Sequence, residues 1–116
     1  MSKPRQLENP LYVLLHNEDI EGVNALKAQG GDFDFTGADF RGLDLRLLEA
    51  DGFNFTDAYF RGADLRGMDL RNTRMDGASI AHAQISGVFF PIELSADEIV
   101  MSLTYGTRMR YRSTTS

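Results

Sequence analysis

Large apolar side chains recur at every fifth position between residues 33 and 92. A period of five fits neither an α-helix, which repeats near 3.6 residues, nor a strand, which repeats at two. Seven of the eleven glycines follow these apolar positions at a fixed distance of two residues, which predicts a recurring turn. Short fixed repeats are typical of solenoids, so we predict a repeat core. The predicted core positions are Phe35, Phe40, Leu45, Phe55, Phe60, Leu65, Leu70, Met75, Ile80, Ile85 and Phe90.

The five-residue segments ADFRG, ADLRG, MDLRN and ASIAH resemble the A-(D/N)-L-x-x unit of the pentapeptide-repeat family. The resemblance covers residues 33–92. It implies an all-β solenoid, a right-handed quadrilateral β-helix with four pentads in each coil. At twenty residues per coil, the sixty residues make about three coils.

Residues twenty apart should then stack, and the sequence agrees. The segment TGADFRGLDLR at 36–46 returns as TDAYFRGADLR at 56–66. Phe33 and Phe53 are bulky where the family usually has a small residue, and they should stack on one face. Leu48 and Ala50 exchange the usual small and large places. We expect local widening there and the same fold.

Both ends of the repeats are predicted to be covered by short helices, because terminal layers of a solenoid would otherwise expose apolar side chains. Asn9-Pro10 indicates a first helix and Asn17 an N-cap for a second, which Gly30-Gly31 ends. After the repeats, a capping box from Ser95 to Glu98 predicts a helix over 96–103. The segment 107–112 alternates in polarity and should be extended.

Composition narrows the class of protein. The 116 residues are read as one domain, with a tail and helical cap over 1–32, repeats over 33–92, and a helix and extended tail over 93–116. No cysteine is present, which excludes disulfides and thiolate chemistry. A net charge of −5 disfavours general nucleic-acid binding. The longest apolar run, 11–15, is far too short to span a membrane, and we expect a cytoplasmic protein without a signal peptide.

Charged side chains follow the repeat as Asp-x-Arg units, which favour a solvated ion-pair surface over the alternative, a patterned surface that recognises a charged partner. The repeat region carries nine acidic residues and six arginines. A short, charge-mixed stub is a poor mimic of duplex DNA, which carries one charge per ~1.7 Å. The units are Asp39/Arg41, Asp44/Arg46, Asp64/Arg66 and Asp69/Arg71.

Catalytic, cofactor and metal sites are not predicted. Ser79, His82, Ser86 and Asp76 lie close in sequence, but they occupy outward or corner places on a convex surface without a cleft. His16 and His82 are the only histidines, too few for a metal cluster.

The sequence therefore favours a non-catalytic protein–protein interaction module. The alternative, from the resemblance, is a DNA-mimic inhibitor or protector of a type II topoisomerase. The partner is an unidentified protein, with a homodimer through the C-terminal end as the specific expectation, because aromatic residues, methionine and arginine are enriched at interfaces. Neither a membrane nor a nucleic acid is an expected partner. The candidate interface residues are Phe89, Ile92, Tyr105, Arg108, Met109, Arg110 and Tyr111.

Overall fold

Three helices flank a central repeat in the computed structural model, which describes residues 10–29 and 33–112. Helix α1 spans Pro10–His16, α2 spans Ile20–Ala28 and α3 spans Ala96–Tyr105. Between α2 and α3, the chain makes isolated parallel β-bridges. None of them extends into a continuous strand within the described residues.

The bridges join residues that are twenty apart. The Phe35 N–H donates to the Asn54 carbonyl at 2.8 Å, and the Asn54 N–H donates back to the Phe33 carbonyl at 2.9 Å. Four pentads therefore complete one layer, and the layers 33–52, 53–72 and 73–92 stack through backbone hydrogen bonds. The bridged pairs are Asp34–Asn54, Asp39–Tyr59, Asp44–Asp64, Asn54–Arg74, Tyr59–Ser79, Asp64–Gln84 and Asp69–Phe89.

The corners between pentads explain the spacing of the glycines. Gly67 and Gly87 lie twenty residues apart at one corner, with φ angles of 77° and 73°. Glycine adopts this left-handed conformation without the steric cost that a Cβ atom brings. Leu47 stands at the same corner in the first layer with a φ of 71°.

Phenylalanine rings fill the first two layers. Phe40 and Phe60 stack at 5.3 Å between centroids, and Phe55 meets both edge-on at 5.6 Å and 5.2 Å. Phe33 and Phe53 stack at 5.3 Å, as expected from their register. Of the eleven predicted core positions, the structure buries nine, whereas Ile85 and Phe90 are only partly buried. Both lie in the second half of the last layer.

The prediction of Asn17 as an N-cap is wrong. The Asn17 N–H still donates to Val13 at the end of α1, and the cap of α2 is Asp19, which accepts from the Gly22 N–H at 3.0 Å. Glu18 turns the chain with a φ of 56°. The predicted start at Asn9 and stop at Gly30-Gly31 lie outside the described residues.

Helix α3 runs two residues beyond its predicted end, to Tyr105, and closes at Gly106 with a φ of 75°. Ser95 caps it as predicted, accepting from the Glu98 N–H at 3.2 Å. The Glu98 carboxylate instead accepts from the Arg110 N–H at 2.8 Å, which ties the tail to the helix.

Replacing Phe60 with alanine should lower the free energy of unfolding by about 3–5 kcal/mol, because the cavity would lie in a fully packed aromatic column. Urea denaturation measures this. Phe89→Ala is the matched control, since that ring is 56% exposed and its removal should cost much less. Equal losses for the two variants would contradict the packing described above.

Candidate functional site

The last layer is covered over its first half by the chain itself. In the middle layer, the N–H groups of Phe55, Asp57, Phe60 and Gly62 donate to carbonyls of the layer above. Twenty residues on, the corresponding donors meet groups from α3 and the tail. Met75 donates to the Tyr111 hydroxyl at 2.8 Å, Gly77 to the Met109 carbonyl at 2.6 Å, Ile80 to Ser102 Oγ at 2.9 Å, and His82 to the Leu103 carbonyl at 2.9 Å.

The second half of the last layer has no such cover. Leu65, Gly67 and Leu70 donate their N–H groups to residues 84, 86 and 89 at 2.7–2.9 Å. The equivalent N–H groups of residues 85, 87 and 90 have no hydrogen-bond partner within 10–29 and 33–112. Phe89 and Ile92 are 56% and 81% exposed in the same segment. We call residues 85–92 the open edge.

The candidate interface residues divide into two groups. Met109 is fully buried, and its N–H donates to the Ala78 carbonyl at 2.8 Å. Its side chain is therefore no surface contact, and its place in the predicted interface is wrong. Tyr111 is partly buried and bonded to Met75. Along the tail, Thr107 and Tyr111 are half-buried and Met109 is buried, whereas Arg110 and Arg112 are exposed.

Arg108 holds the tail against the repeats. Its guanidinium lies 5.2 Å from the centre of the Tyr59 ring and 3.3 Å from an Asp57 carboxylate oxygen. By contrast, Tyr105 is 77% exposed and Arg110 is exposed. The exposed members of the predicted interface are thus Phe89, Ile92, Tyr105 and Arg110.

All four Asp-x-Arg units form the same bidentate contact. In one of them, Asp69 Oδ1 accepts from the backbone N–H of Arg71 at 3.1 Å and from its Nε at 2.9 Å, while Oδ2 accepts from Nη2 at 2.7 Å. Asn54 makes the same backbone contact to Thr56 without any charge. The unit therefore organises the turn first, and the ion pair is added to it.

Residues 54–90 match the family model described as Pentapeptide repeats, in eight copies. This part of the chain, about a third of its length, is similar to the pentapeptide-repeat family. No curated protein and no solved structure matches the chain. Pentapeptide repeats suggest an interaction module and are generally non-catalytic.

Within the described residues, no hydrogen bond joins the residues considered for catalysis to one another. Ser79 is buried and its hydroxyl donates to the Gly106 carbonyl at 3.3 Å. His82 and Ser86 are exposed, and Asp76 accepts from the Tyr111 N–H at 3.1 Å. In the described ranges, no hydrogen bond joins His82 to either serine, and no group of three or more His, Cys, Asp or Glu side chains could hold a metal ion.

No helix of the described residues has the length and apolar character needed to cross a membrane.

Leu47 is an apolar residue at a corner of the repeats, and the repeat pattern does not predict what surrounds it. Leu47 and the start of α2 line a cleft of about 800 Å³ beside the repeats. One feature of the sequence marks Leu47 as unusual: the positions twenty and forty residues later, which occupy the same corner, are Gly67 and Gly87. The cleft itself depends on how α2 docks, which no periodicity reports.

Charge pairing lowers the carboxyl pKa values on the repeat faces. Hydrogen bonds from Arg46 and Arg71 lower the pKa of Asp44 and of Asp69 to about 2, and Arg41 and Arg66 lower those of Asp39 and Asp64. These carboxylates are charged and paired near neutral pH. The acidic charge of the faces is therefore largely compensated locally.

Asp69 should make folding stability sensitive to acid. A folded-state pKa below the unfolded value of 3.8 means that the pairing stabilises fully above about pH 4 and is lost as the pH falls through about 2. Asp69→Asn keeps the turn contact, as Asn54 does, but loses the charge. Urea midpoints at pH 5 and pH 2 should differ less in this variant than in the wild type. Glu93→Gln, at an exposed site, should leave that difference unchanged; an identical acid response in Asp69→Asn would refute the pairing.

Proposed function

We propose that the chain is a non-catalytic protein–protein interaction module built on a right-handed quadrilateral β-helix over residues 33–92, acting in the cytoplasm. Two observations support the architecture: parallel bridges between residues twenty apart, and the similarity of residues 54–90 to the pentapeptide-repeat family. Pentapeptide repeats generally form this helix, and the handedness in the proposal comes from the family.

The open edge is the observation that carries the proposal. Three backbone N–H groups lie at the open edge. In the middle layer, the three equivalent N–H groups each donate to a carbonyl of the next layer. A row of such groups is a template for pairing with another chain. Phe89 and Ile92 add exposed apolar surface at the same place, and Arg71 packs over the Phe89 ring at 4.9 Å.

We infer a second copy of the chain as the partner at this edge. Acceptors accompany these donors. The carbonyls of Ala63 and Met68 accept from the layer above, and their equivalents in the last layer are the carbonyls of Ala83, beside the open edge, and of Val88, within it. A surface that alternates donors and acceptors is compatible with the self-complementarity that a two-fold contact requires. The contact would therefore centre on 85–92, with Tyr105 and Arg110 at its border.

Static light scattering at about 100 µM tests the dimer, since weak contacts of micromolar affinity are populated at that concentration. The wild type should be dimeric. Phe89→Asp and Ile92→Asp should each give folded monomers, because a two-fold contact is struck twice by one substitution. Leu47→Asp, at an exposed site near α2, is the matched control and should remain dimeric. A monomeric wild type would overturn the dimer proposal.

The topoisomerase alternative remains a prediction. It is tested by adding the protein to a gyrase supercoiling reaction, in which a DNA mimic would inhibit and an unrelated module would have no effect.

A further inference from the structure

A cleft of about 800 Å³ lies where the start of α2 meets the repeats. Glu18, Asp19 and Glu21 are three of its lining residues, and we call them the acidic wall; Leu47, at the corner of the repeats, also lines the cleft. The lining also includes Leu48 and Met68, which are buried. Cavities between about 300 and 1,000 Å³ are of the size that protein sites use to hold ligand groups.

Leu47 is the unusual residue of this cleft. Its backbone is left-handed, with a φ of 71°, where the next two layers have glycine. This conformation is unfavourable for a residue with a Cβ atom. Its side chain is 86% exposed, so packing inside the chain offsets little of that cost. Asp57, another such residue, at least contacts Arg108.

The backbone around Leu47 is held in place by one side chain. The Asn24 amide donates to the Leu47 carbonyl at 3.2 Å, and its oxygen accepts from the Glu49 N–H at 3.0 Å. Helix α2 therefore fixes the corner on both sides and presents the leucine side chain outward. The backbone on which Leu47 stands is therefore fixed, and its apolar side chain is exposed to contact by a partner.

The charge of the cleft specifies what could lie on Leu47. Its lining has five acidic residues and two arginines, a net charge of −3. The two arginines, Arg46 and Arg66, are already paired with Asp44 and Asp64. The carboxylates of Glu18, Asp19 and Glu21 make no ion pair within the described residues. Complementary charge favours a basic partner.

We propose that this cleft is a docking surface for a basic, extended peptide segment of another protein, with Leu47 as its apolar anchor. The segment places an apolar side chain against Leu47, and its lysines or arginines reach the wall formed by Glu18, Asp19 and Glu21. The proposal rests on the proposed role as an interaction module, but it concerns a surface separate from the open edge.

Fluorescence polarisation with three labelled ten-residue probes tests the proposal: a lysine-rich peptide with a central leucine pair, the same peptide with central serines, and a glutamate-rich version of the first. The wild type should bind the first at least about tenfold more tightly than the second, and should not bind the third. Binding should weaken as salt rises. Equal binding of the first two peptides, or no binding of the first, would overturn the proposal.

Leu47→Gly gives the sharpest variant. It relieves the left-handed conformation, so the melting temperature should stay the same or rise, while affinity for the leucine peptide should fall about tenfold or more. Ile92→Ser removes an exposed apolar residue elsewhere and should leave binding unchanged. A lower melting temperature for Leu47→Gly with unchanged binding would show a structural role and overturn the proposal.

The acidic wall is tested by Glu21→Lys, with Glu93→Lys as the matched control. Only the first should weaken peptide binding and flatten its salt dependence. If Leu47→Gly abolished self-association measured by light scattering, the occupant would be a second copy, and the peptide proposal would be overturned. If the wild-type protein bound none of the peptides but still formed the dimer at the open edge, this inference would be refuted and the proposed function would stand.

Discussion

The structure depends on one recurring type of hydrogen bond, in which a backbone N–H in one layer donates to the carbonyl of the residue nineteen positions later in the chain. Phe35 to Asn54, Phe55 to Arg74, and Leu65 to Gln84 all follow this rule at 2.7–2.9 Å. Each pairing places one apolar side chain directly above another, which is why Phe40 and Phe60 stack. Backbone pairing and ring packing therefore support the same register, and a slip would lose both.

In such a stack, the backbone N–H and carbonyl groups of an inner layer pair with the layers on both sides. The first and last layers each lack a neighbouring layer on one side. At the first layer, side chains of the helices supply what a preceding layer would have supplied. The Tyr12 hydroxyl donates to the Asp39 carbonyl at 3.0 Å, and Glu18 accepts from the Asp44 N–H at 2.7 Å. At the last layer, α3 and the tail do the same for only one half. The open edge is the consequence: within 10–29 and 33–112, three of its backbone N–H groups have no hydrogen-bond partner.

The sequence predicts the features that depend on the five-residue repeat or on short local motifs. The register from Phe35 to Ile80, the stacked Phe33 and Phe53, and the Ser95 cap follow from local rules. The docking contacts do not repeat and could not be read in this way. Methionine is a residue type that is common at interfaces. Met109 is nevertheless buried, because its backbone pairs with the last layer of the repeats. Asparagine is a common N-cap residue. The Asn17 N–H, however, still donates to Val13 at the end of α1, and Asp19 is the N-cap of α2. The cleft at Leu47 likewise depends on the docking of α2.

Native-state hydrogen exchange of individual backbone amides tests the half-covered last layer most directly, because exchange reports whether each N–H is paired. It is best measured on the Phe89→Asp variant, in which the proposed dimer cannot protect the edge. The amides of Met75 and Ile80 should exchange about as slowly as those of Phe55 and Phe60. The amides of Ile85 and Gly87 should exchange far faster than those of Leu65 and Gly67. Equal protection of Ile85 and Leu65 would contradict the account, because it would mean that the last layer is covered all round.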